Sequence, residues 1–493
     1  MIPIDPHIFR AYDIRGKAGS QITEDACEQI GYAFGVIVKE RYKVDHPKIV
    51  VGRDARTHSA GFDQAVTIGL LAAGCHVLSI GPTPSPVNYF TIVTQKLDGG
   101  IQITASHNPG TDNGLKLQVR DAEAFSGDDL QELRVRIERG TKRTANSDPT
   151  SPRLRGASQR TEDELTADRP LVARFASGDS SLTAINAVDP YFDHYSTLFD
   201  GMGRGLSIVT DCGNGIAGPV NNAILRKIGC RITDLYSEPD GTFPNHLADP
   251  SKWDTLKELQ EGIIKTKADG GLAFDGDGDR VGLVDELGKI HTADEMLLLL
   301  AKRYLQKFPD SPVVFTTSMS STLVTEIAKW GGKPVMCAVG HSVVEHTMRH
   351  EGAPLGGEQS GHFFLKDVAY GYDDALAVAL VLIAIRHDEG KPFSELFKEF
   401  PTVFHAPELR PHCADGEKTR IIESITKHFS TLYPVNTMDG ARIDFGDGAW
   451  ANIRQSNTAP KLSVCLEARS EKKLEDITEI VLRELRTYKE IEL

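Results

Sequence analysis

Short hydrophobic runs rich in β-branched residues alternate along the chain with longer stretches in which apolar residues recur at helical spacing. This alternation is typical of β-α-β units, in which helices cover a largely parallel sheet. Because the pattern repeats several times over 493 residues, it predicts an α/β protein of several domains. The clearest strand predictions fall at residues 48–51, 76–80, 100–104, 206–210, 271–274 and 312–315.

The same pattern predicts three informative helices. Thr292, followed three residues later by Glu295, has the sequence of a capping box, and we expect a helix and a new domain to begin there. Residues 375–385 form an apolar run that is much shorter than the ~20 residues of a membrane span, so we predict a buried helix. A final amphipathic helix is indicated by the spacing of Leu474, Ile477, Val481, Leu482 and Leu485.

The hydrophobic pattern fails over about residues 141–182. This segment is rich in Ser, Thr, Asp, Arg and Pro and poor in aromatic residues. Such a composition buries little apolar surface, so we expect an exposed, mobile insertion that carries no site.

The overall charge limits the partners. The chain has 55 Lys and Arg against 69 Asp and Glu, a net charge of −14. We therefore expect no nucleic acid and no membrane as a partner, and an anionic substrate must be held by local groups. The N-terminus lacks the pattern of a secretory signal, which favours a cytoplasmic location. Seven scattered cysteines without a CxxC pair predict reduced, buried thiols instead of disulfides or a zinc site.

A first candidate for chemistry is the sequence TASHNP at residues 104–109, directly after a predicted strand. Ligands of open α/β folds bind at the carboxyl ends of the strands, so Ser106 at this corner suits a nucleophile. The alternative is an ordinary turn in which Ser106 and Asn108 bond backbone amides.

A second candidate is DGDGDR at residues 275–280. Asp275, Asp277 and Asp279 alternate with glycines that allow a tight turn, so their oxygens can converge on a hard cation such as Mg²⁺. With Glu286 they also match four ligand positions of an EF-hand loop. That interpretation is disfavoured because Arg280 replaces the required glycine and strand-like sequence flanks the loop.

The sequence GNGIAG at residues 213–218 follows a predicted strand and precedes a helical stretch, as a dinucleotide-binding loop does. Asp234 lies near the position of a ribose-binding acid. An NAD-dependent oxidoreductase is therefore a rival hypothesis, although it leaves Ser106 and the three aspartates without a role.

Two further polar segments lie in the second half of the chain. RQSNTAP at residues 454–460 combines an arginine fork with hydroxyl groups, a combination that can bind a phosphate without a basic surface. GEQSGH at residues 357–362 places a carboxylate and a hydroxyl two residues apart, which suits two neighbouring sugar hydroxyls. The alternative for either segment is a loop with satisfied polar groups.

Taken together and in order, FRAYDIRG, TASHNP, DGDGDR, GEQSGH and RQSNTAP resemble the α-D-phosphohexomutase family, specifically its bacterial phosphomannomutase/phosphoglucomutase branch. DCGNGIAG and DGTFPNH also resemble the second domain of that family, which gives the glycine motif a structural role. The resemblance covers nearly the whole chain, and five motifs in register are far more specific than any one.

The resemblance implies four domains around a central cleft: three related α/β domains with mixed sheets and a smaller C-terminal α+β domain. We place a phosphoserine domain at residues 1–202, including the insertion at about 141–182, and a metal-binding domain at 203–290. A sugar-binding domain then covers residues 291–403, and a phosphate-binding C-terminal domain covers 404–493.

The family also implies residue roles. Ser106 would carry a phosphoryl group, and Mg²⁺ would be held by that group together with Asp275, Asp277 and Asp279. The expected substrate ligands are Tyr12, Gly340, Glu358, Ser360, Arg454, Ser456, Asn457 and Thr458. We expect the transferring group to be screened by Arg15, Lys116 and Arg280. The candidates for proton transfer are His107, His341 and His362. His107 is the weakest of them, because its position next to Ser106 also suits a residue that only orients the serine.

The implied reaction interconverts hexose 6-phosphate and hexose 1-phosphate, of mannose, glucose or both. A hexose 1,6-bisphosphate would be the intermediate and activator, and the protein would be a monomer or a weak homo-oligomer. Phosphoglucosamine mutase is the main alternative, because GEQSGH also resembles the sequence of those enzymes. They usually have a glycine at the position of Asn457, which counts against this alternative. A serine-based sugar phosphatase and a catalytically weak sugar-phosphate binder are more distant alternatives.

Two departures from the family pattern concern charge. Relatives often carry a lysine within the stretch where this chain has TTSMS, residues 316–320, with Ser318 at that position. Glu345 likewise stands where a close relative has lysine. Both changes remove positive charge from a phosphate-binding region, so we expect rate or specificity to differ.

Overall fold

The computed structural model describes residues 4–144, 180–456 and 459–492. They divide into two compact units. The first consists of Met1–Ile290 with Val368–Gly390, and the second of His291–Asp367 with Lys391–Leu493. Each unit is built around two sheets, and the predicted α/β class is confirmed.

The first sheet consists of β1 (Ile14–Lys17), β2 (Lys48–Arg53), β3 (His76–Pro82), β4 (Gly99–Ile103), β5 (Asp112–Val119) and β6 (Ser181–Ala184). Their order is β1-β5-β4-β2-β3-β6, and β5 is antiparallel to both neighbours, whereas β4, β2, β3 and β6 are parallel. The helices of this part are α1 (Glu24–Tyr42), α2 (Ser59–Ala72), α3 (Ser85–Thr94) and α4 (Asp128–Thr144). The carboxyl end of β4 leads into the loop that carries Ser106, and the carboxyl end of β3 leads into the short turn before Ser85, the first residue of α3.

The second sheet consists of β7 (Ser207–Asp211), β8 (Arg231–Leu235), β9 (Gly270–Phe274), β10 (Val281–Asp285) and β11 (Ile290–His291), in the order β11-β10-β9-β7-β8. Strands β8, β7 and β9 are parallel, and β10 is antiparallel to β9. The helices are α5 (Val188–Leu198), α6 (Gly218–Lys227) and α7 (Lys257–Thr266). The tight connection from β9 to β10 contains the three aspartates.

The second unit begins with α8 (Ala293–Lys307), and the predicted capping box of Thr292 and Glu295 is confirmed. Its first sheet has the order β13-β12-β14-β15, with β15 antiparallel to β14 and the other pairs parallel. The strands are β12 (Pro312–Thr316), β13 (Lys333–Cys337), β14 (Leu355–Gly357) and β15 (Phe363–Leu365). The accompanying helices are α9 (Ser321–Lys329) and α10 (His341–Glu351).

Helix α11 (Ala375–Glu389) belongs to the first unit. The apolar run at 375–385 is part of it and is largely buried, as predicted. The buried Asp374 side chain caps this helix through the Ala377 N–H at 3.0 Å and accepts hydrogen bonds from the Tyr191 hydroxyl at 3.0 Å and the Tyr195 hydroxyl at 2.7 Å. Asp374 thereby fastens α5 to the start of α11.

The last sheet is antiparallel, in the order β16-β20-β19-β18-β17. Its strands are β16 (Phe404–His405), β17 (Val435–Asn436), β18 (Ala441–Asp444), β19 (Trp450–Gln455) and β20 (Leu462–Ala468), and the helices of the second unit continue with α12 (Phe393–Phe397), α13 (Asp415–Ser430) and α14 (Glu471–Leu485). Ile477, Val481 and Leu485 of α14 are buried in the core, which confirms the predicted final helix.

The six predicted strands are all present, with bounds shifted by one or two residues. All seven cysteines are free and buried, as predicted. The bounds of the predicted insertion differ from the structure, because α4 continues to Thr144 and β6 begins at Ser181. Strand β6 is exposed at a sheet edge, so its sequence gives little hydrophobic signal. The remainder of that segment, residues 145–179, lies outside the described residues, and none of the described helices combines the length and apolarity needed to cross a membrane.

Candidate active site

Ser106 lies in the loop after β4 and is fully buried. Its φ of 50° is in the left-handed region, which is uncommon for serine and costs about 1–3 kcal/mol. The Thr104 hydroxyl accepts a hydrogen bond from the Ser106 N–H at 2.9 Å. The Ser106 hydroxyl donates to Asp275 Oδ2 at 2.6 Å, so the predicted nucleophile meets the predicted cation ligands.

Asp275, Asp277 and Asp279, hereafter the acidic trio, are fully buried. Asp275 Oδ1 accepts hydrogen bonds at 3.0 to 3.1 Å from the N–H groups of Gly278, Asp279 and Arg280, which fixes the loop. Antiparallel strands flank this loop, and an EF-hand would need helices there. Glu286 lies beyond the end of β10.

The buried side chain of Lys116 faces the acidic trio. Lys116 on β5 donates to Asp277 Oδ2 at 2.7 Å and to Asp279 Oδ2. Burial alone would lower the pKa of Lys116, but the surrounding negative charges, with Asp277 and Asp279 foremost, raise it overall. Burial alone would raise the pKa of Asp277, but Lys116 and a 2.6 Å hydrogen bond from Ser85 lower it overall. Burial and the two neighbouring carboxylates raise the pKa of Asp275.

The trio fits a metal ion. Its three residues each offer a carboxylate oxygen, and these oxygens lie within 4.8 Å of one another. Asp277 Oδ1 is buried and has no hydrogen-bond partner among the described residues, an arrangement that is costly unless another group satisfies it. Closely spaced carboxylate oxygens are the ligands that hard divalent cations prefer.

The other residues predicted around Ser106 lie at different distances from it or from the acidic trio. His107 Nδ1 lies 3.1 Å from the Ser106 hydroxyl, and Arg280 Nε lies 4.0 Å from Asp275 Oδ2. Arg15 on β1 pairs with Asp13 at 2.7 Å and donates to the Asn108 side chain at 3.2 Å, two residues beyond Ser106. Tyr12 is half-buried in the turn before β1.

The glycine motif at 213–218 supports the acidic trio. A Cβ at Gly215 would lie 2.9 Å from the Gly276 backbone, and the Ile216 N–H donates to the Gly276 carbonyl at 3.0 Å. Asp234 pairs with Arg226 at 2.9 Å and with Ser237 at 3.2 Å. The close approach that this motif offers to a pyrophosphate in a dinucleotide site is used here by a protein loop, which disfavours the NAD hypothesis.

We expect Gly276→Ala to lower turnover by about 10²-fold, because its Cβ would lie 2.4 Å from the Ser106 carbonyl and must displace the serine. Gly416→Ala is the matched control, since a Cβ there meets nothing within 4 Å. Steady-state kinetics and thermal unfolding of both variants measure the effect. Equal activity of the two variants would contradict this role of Gly276.

The neighbouring DGTFPNH segment contains a histidine with a buried acidic partner. His246 Nε2 lies 3.2 Å from Asp211 Oδ2, and this hydrogen bond raises the His246 pKa. The stabilisation is therefore fully present below the unfolded-state pKa of ~6.5 and is lost as the pH rises through the higher folded-state value.

We expect His246→Gln to destabilise the protein by up to about 1 kcal/mol more at pH 6 than at pH 9. Denaturant unfolding at the two pH values measures the difference. Asp211→Asn should remove the same pH dependence, and a His246→Gln effect that is equal or larger at pH 9 would show that the pair does not act in this way.

In the second unit, the turn GEQSGH connects β14 to β15. Glu358 is buried, and the Ser360 hydroxyl is buried and finds no hydrogen-bond partner in the part of the chain that the structure describes. The rings of His341 and His362 stack with centroids 5.3 Å apart. Gly340, with a φ of 147°, precedes α10 and places His341 at the start of that helix.

The segment RQSNTAP follows β19. Arg454 Nε lies 3.9 Å from Asp439, and Ser456 is buried. Two cations that the sequence analysis missed lie at this segment: Lys418 donates to the Ser456 carbonyl at 2.9 Å and Arg410 donates to the Ser456 hydroxyl at 3.4 Å. Asn457 and Thr458 lie outside the described residues.

Each of the two positions that lack the expected lysine is held by local contacts. Ser318 is buried and shares a 3.1 Å hydrogen bond with Thr316, while the carbonyls of Thr317 and Met319 accept from Arg442, which stacks on Trp450. Glu345 is paired with Arg349 on its own helix at 2.8 Å. The charge of Glu345 is thus compensated within the helix.

A buried serine against an acidic cluster that could hold a metal ion is an arrangement suited to an enzyme that handles phosphoryl groups. Comparison with known proteins gives the family. Models of the four phosphoglucomutase/phosphomannomutase domains match the chain: α/β/α domain I at residues 6–144, domain II at 189–288, domain III at 292–404 and the C-terminal domain at 408–484. The chain belongs to the phosphoglucomutase/phosphomannomutase family. The predicted family, the three α/β domains with a smaller last one, and the mutase class of enzyme are confirmed.

Individual relatives are similar in sequence to this chain over nearly their whole length. The phosphomannomutase/phosphoglucomutase of Pseudomonas aeruginosa is 34% identical over 97% of this chain and 95% of its own. A phosphoglucomutase of Neisseria gonorrhoeae is 32% identical over 97% and 96%. The crystal structure of a phosphoglucomutase/phosphomannomutase family protein from Burkholderia thailandensis aligns with a TM-score of 0.83 at 32% identity and covers 98% of both chains.

Proposed function

We propose that the protein interconverts hexose 6-phosphate and hexose 1-phosphate, of mannose, glucose or both, through a phosphoserine at Ser106 and a bisphosphorylated sugar. The observation that carries the proposal is the 2.6 Å hydrogen bond from the Ser106 hydroxyl to Asp275 Oδ2 in the acidic trio. It supports a nucleophile that lies beside carboxylates able to hold a divalent cation, whose charge would compensate that of the phosphoryl group.

In the first half of the proposed reaction, a sugar hydroxyl oxygen attacks the phosphorus of phosphoserine. The new O–P bond forms as the bond from phosphorus to Ser106 Oγ breaks, and the hydroxyl proton passes to His341 or His362. In the second half, Ser106 Oγ attacks the phosphorus of the other phosphate, and the bond from that phosphorus to the sugar oxygen breaks. The same histidine returns its proton to this oxygen, and the sugar leaves as the isomeric monophosphate. His107, 3.1 Å from Ser106 Oγ, is placed to orient this hydroxyl.

The acidic trio and phosphorylated Ser106 would hold Mg²⁺. When bound, the ion supplies Lewis-acid stabilisation of the charge on the phosphoryl oxygens. Lys116, Arg280 and Arg15 add fixed positive charge around the same loop, and the 2.7 Å bond from Lys116 to Asp277 supports this role. Phosphoryl transfer depends on such positioning and charge compensation.

We propose that the second unit binds the rest of the substrate. Glu358 and the Ser360 hydroxyl would bind sugar hydroxyls, supported by the buried Ser360 oxygen, and Gly340 would contribute backbone contacts. Arg454, Ser456, Asn457 and Thr458 would bind the substrate's own phosphate, and the cations beside Ser456 support this. Tyr12 would pack near the transferring group.

We place the four domains at 1–202, 203–290, 291–403 and 404–493, which is supported by the four sheets. Seven free, buried cysteines support a reducing compartment such as the cytoplasm. The protein would act as a monomer or weak homo-oligomer, with hexose phosphates as its partners and a hexose 1,6-bisphosphate as activator.

Turnover of mannose, glucose and glucosamine 1-phosphates, measured with Mg²⁺ and trace bisphosphate, tests the proposal. We expect isomerisation of the mannose or glucose compound, and intact mass should show one phosphoryl group on the enzyme. Isomerisation of the glucosamine compound alone would favour the amino-sugar alternative. Release of inorganic phosphate without an isomer would instead indicate a phosphatase.

A further inference from the structure

We propose that Arg56, held by Phe243, is the positioning residue that fixes the Ser106 loop for phosphoryl transfer. This inference rests on the proposed function. It also assigns a role to the DGTFPNH segment, to which the reaction gives none. Arg56 lies just beyond β2, in the sequence GRDART, and its side chain is fully buried.

Every N–H group of the Arg56 guanidinium has an acceptor. Nε donates to Asp54 Oδ2 at 3.0 Å. One terminal nitrogen donates to the Pro109 carbonyl at 2.7 Å and the Asp112 carbonyl at 3.0 Å, and the other to the carbonyls of Ser106 and Asn108, both at 2.7 Å. Four of the five bonds thus go to backbone oxygens of one loop, residues 106–112. With all five donors used, Arg56 acts on this loop and is not placed to bind substrate.

Hydrogen bonds hold Ser106 at two points, its carbonyl oxygen and its side-chain hydroxyl. Its carbonyl is bound by Arg56 and its hydroxyl by Asp275 at 2.6 Å. Ser106 also has the strained φ of 50°, which persists only where the surroundings determine it. Arg56 restrains the Ser106 backbone through the hydrogen bond to its carbonyl oxygen.

Arg56 is itself oriented from two directions. Asp54 accepts from its Nε and, through Oδ1, from the Ser59 hydroxyl at 2.6 Å. On the other side the Phe243 ring centroid lies 4.9 Å from Arg56 Cζ, a cation–π contact. A Cβ at Gly241 would lie 2.4 Å from Arg56 Cα, so the turn that carries Phe243 packs directly on this residue.

The chemistry requires a guanidinium. A lysine has three donors and no planar fork, so it cannot bridge four carbonyls. The Ser106 loop would then lose its fixed geometry, and a displacement of about 1 Å at the reacting atoms costs on the order of 10²-fold in rate.

The test measures one phosphoryl transfer in Arg56→Lys. Wild type and variant are phosphorylated with glucose 1,6-bisphosphate, freed of it, and mixed with glucose 6-phosphate and Mg²⁺ in a quench-flow device. The phosphoenzyme mass decays to its equilibrium with the bisphosphorylated sugar, and this decay gives a first-order rate constant that does not depend on the fraction of folded protein. We expect it to fall about 10²-fold at saturating sugar, with the half-saturating sugar concentration changed less than about threefold.

Arg53→Lys is the matched control, because Arg53 lies on β2 and pairs with Asp63 at 3.2 Å. We expect its rate constant to stay within about twofold of wild type. Phe243→Leu keeps the apolar packing and removes the cation–π contact, so its rate constant should fall about threefold to tenfold. If Arg56→Lys fails to fold, Phe243→Leu decides the question.

A folded Arg56→Lys with the wild-type rate constant overturns the inference, as does an unchanged rate constant in Phe243→Leu when Arg56→Lys does not fold. A wild-type enzyme that isomerises no hexose phosphate and carries no phosphoryl group overturns the proposed function instead. The two failures are therefore distinguishable.

Discussion

Replacing Ser106 by alanine should lower mutase turnover by at least on the order of 10⁴-fold. The variant keeps the Cβ and removes the hydroxyl that would carry the phosphoryl group between the two ends of the sugar. Coupled assays of isomerisation measure the rate. Intact mass after incubation with glucose 1,6-bisphosphate should show no added phosphoryl group.

Ser85→Ala is a close control for this experiment. Both serine side chains are fully buried, and both donate a 2.6 Å hydrogen bond to a carboxylate of the acidic trio, Ser106 to Asp275 and Ser85 to Asp277. Loss of one such bond in Ser85→Ala should cost about tenfold in turnover. Equal losses in the two variants, or a Ser106→Ala enzyme that keeps its activity, would exclude Ser106 as the phosphoryl carrier.

The strand ends explain why part of this site could be predicted from the sequence. Ser106 follows β4 and the acidic trio follows β9, and both strands are fully buried runs with a clear hydrophobic signal. Loops at such ends carry function in α/β folds, so residue type and position together indicated the chemistry. Strand β6 lies exposed at a sheet edge and left no such signal.

Contacts between distant parts of the chain could not be predicted. The hydrogen bond from Ser85 to Asp277 joins residues 192 positions apart, and that from Lys116 to Asp277 joins residues 161 apart. The role of Arg56 depends on four carbonyls that only the folded loop turns toward one guanidinium. One signal was present: PTPSP, like TASHNP, follows a predicted strand and places Ser85 at a carboxyl end.

Lys116 holds together a cluster of charges that would otherwise repel one another. Its side chain is only 5% exposed, and its ammonium group contacts both Asp277 and Asp279, which are fully buried. Removing one partner from a buried ionic cluster leaves uncompensated charge and typically costs about 3–5 kcal/mol. We therefore expect Lys116→Met to lower the free energy of unfolding by about 4 kcal/mol in the absence of divalent cations.

Lys116→Met should also respond to Mg²⁺ more strongly than wild type does. A ligand that binds only the folded state stabilises it in proportion to RT ln(1 + [L]/Kd), and the three carboxylates of Lys116→Met attract a divalent cation without competition from the lysine. Added Mg²⁺ should therefore raise the unfolding midpoint of Lys116→Met by more than that of wild type. Urea or thermal unfolding with Mg²⁺ or with EDTA measures both effects.

Lys17→Met is the control, since Lys17 is on the neighbouring strand β1 and pairs with Asp112 at 2.6 Å, but its side chain is 58% exposed. An exposed pair contributes at most about 1 kcal/mol, and its loss should leave the Mg²⁺ response unchanged. If Lys116→Met were no less stable than Lys17→Met, or responded to Mg²⁺ as wild type does, Lys116 would not be the cation that balances the acidic trio. Because that balance and the proposed Mg²⁺ use the same carboxylates, the two effects must appear together.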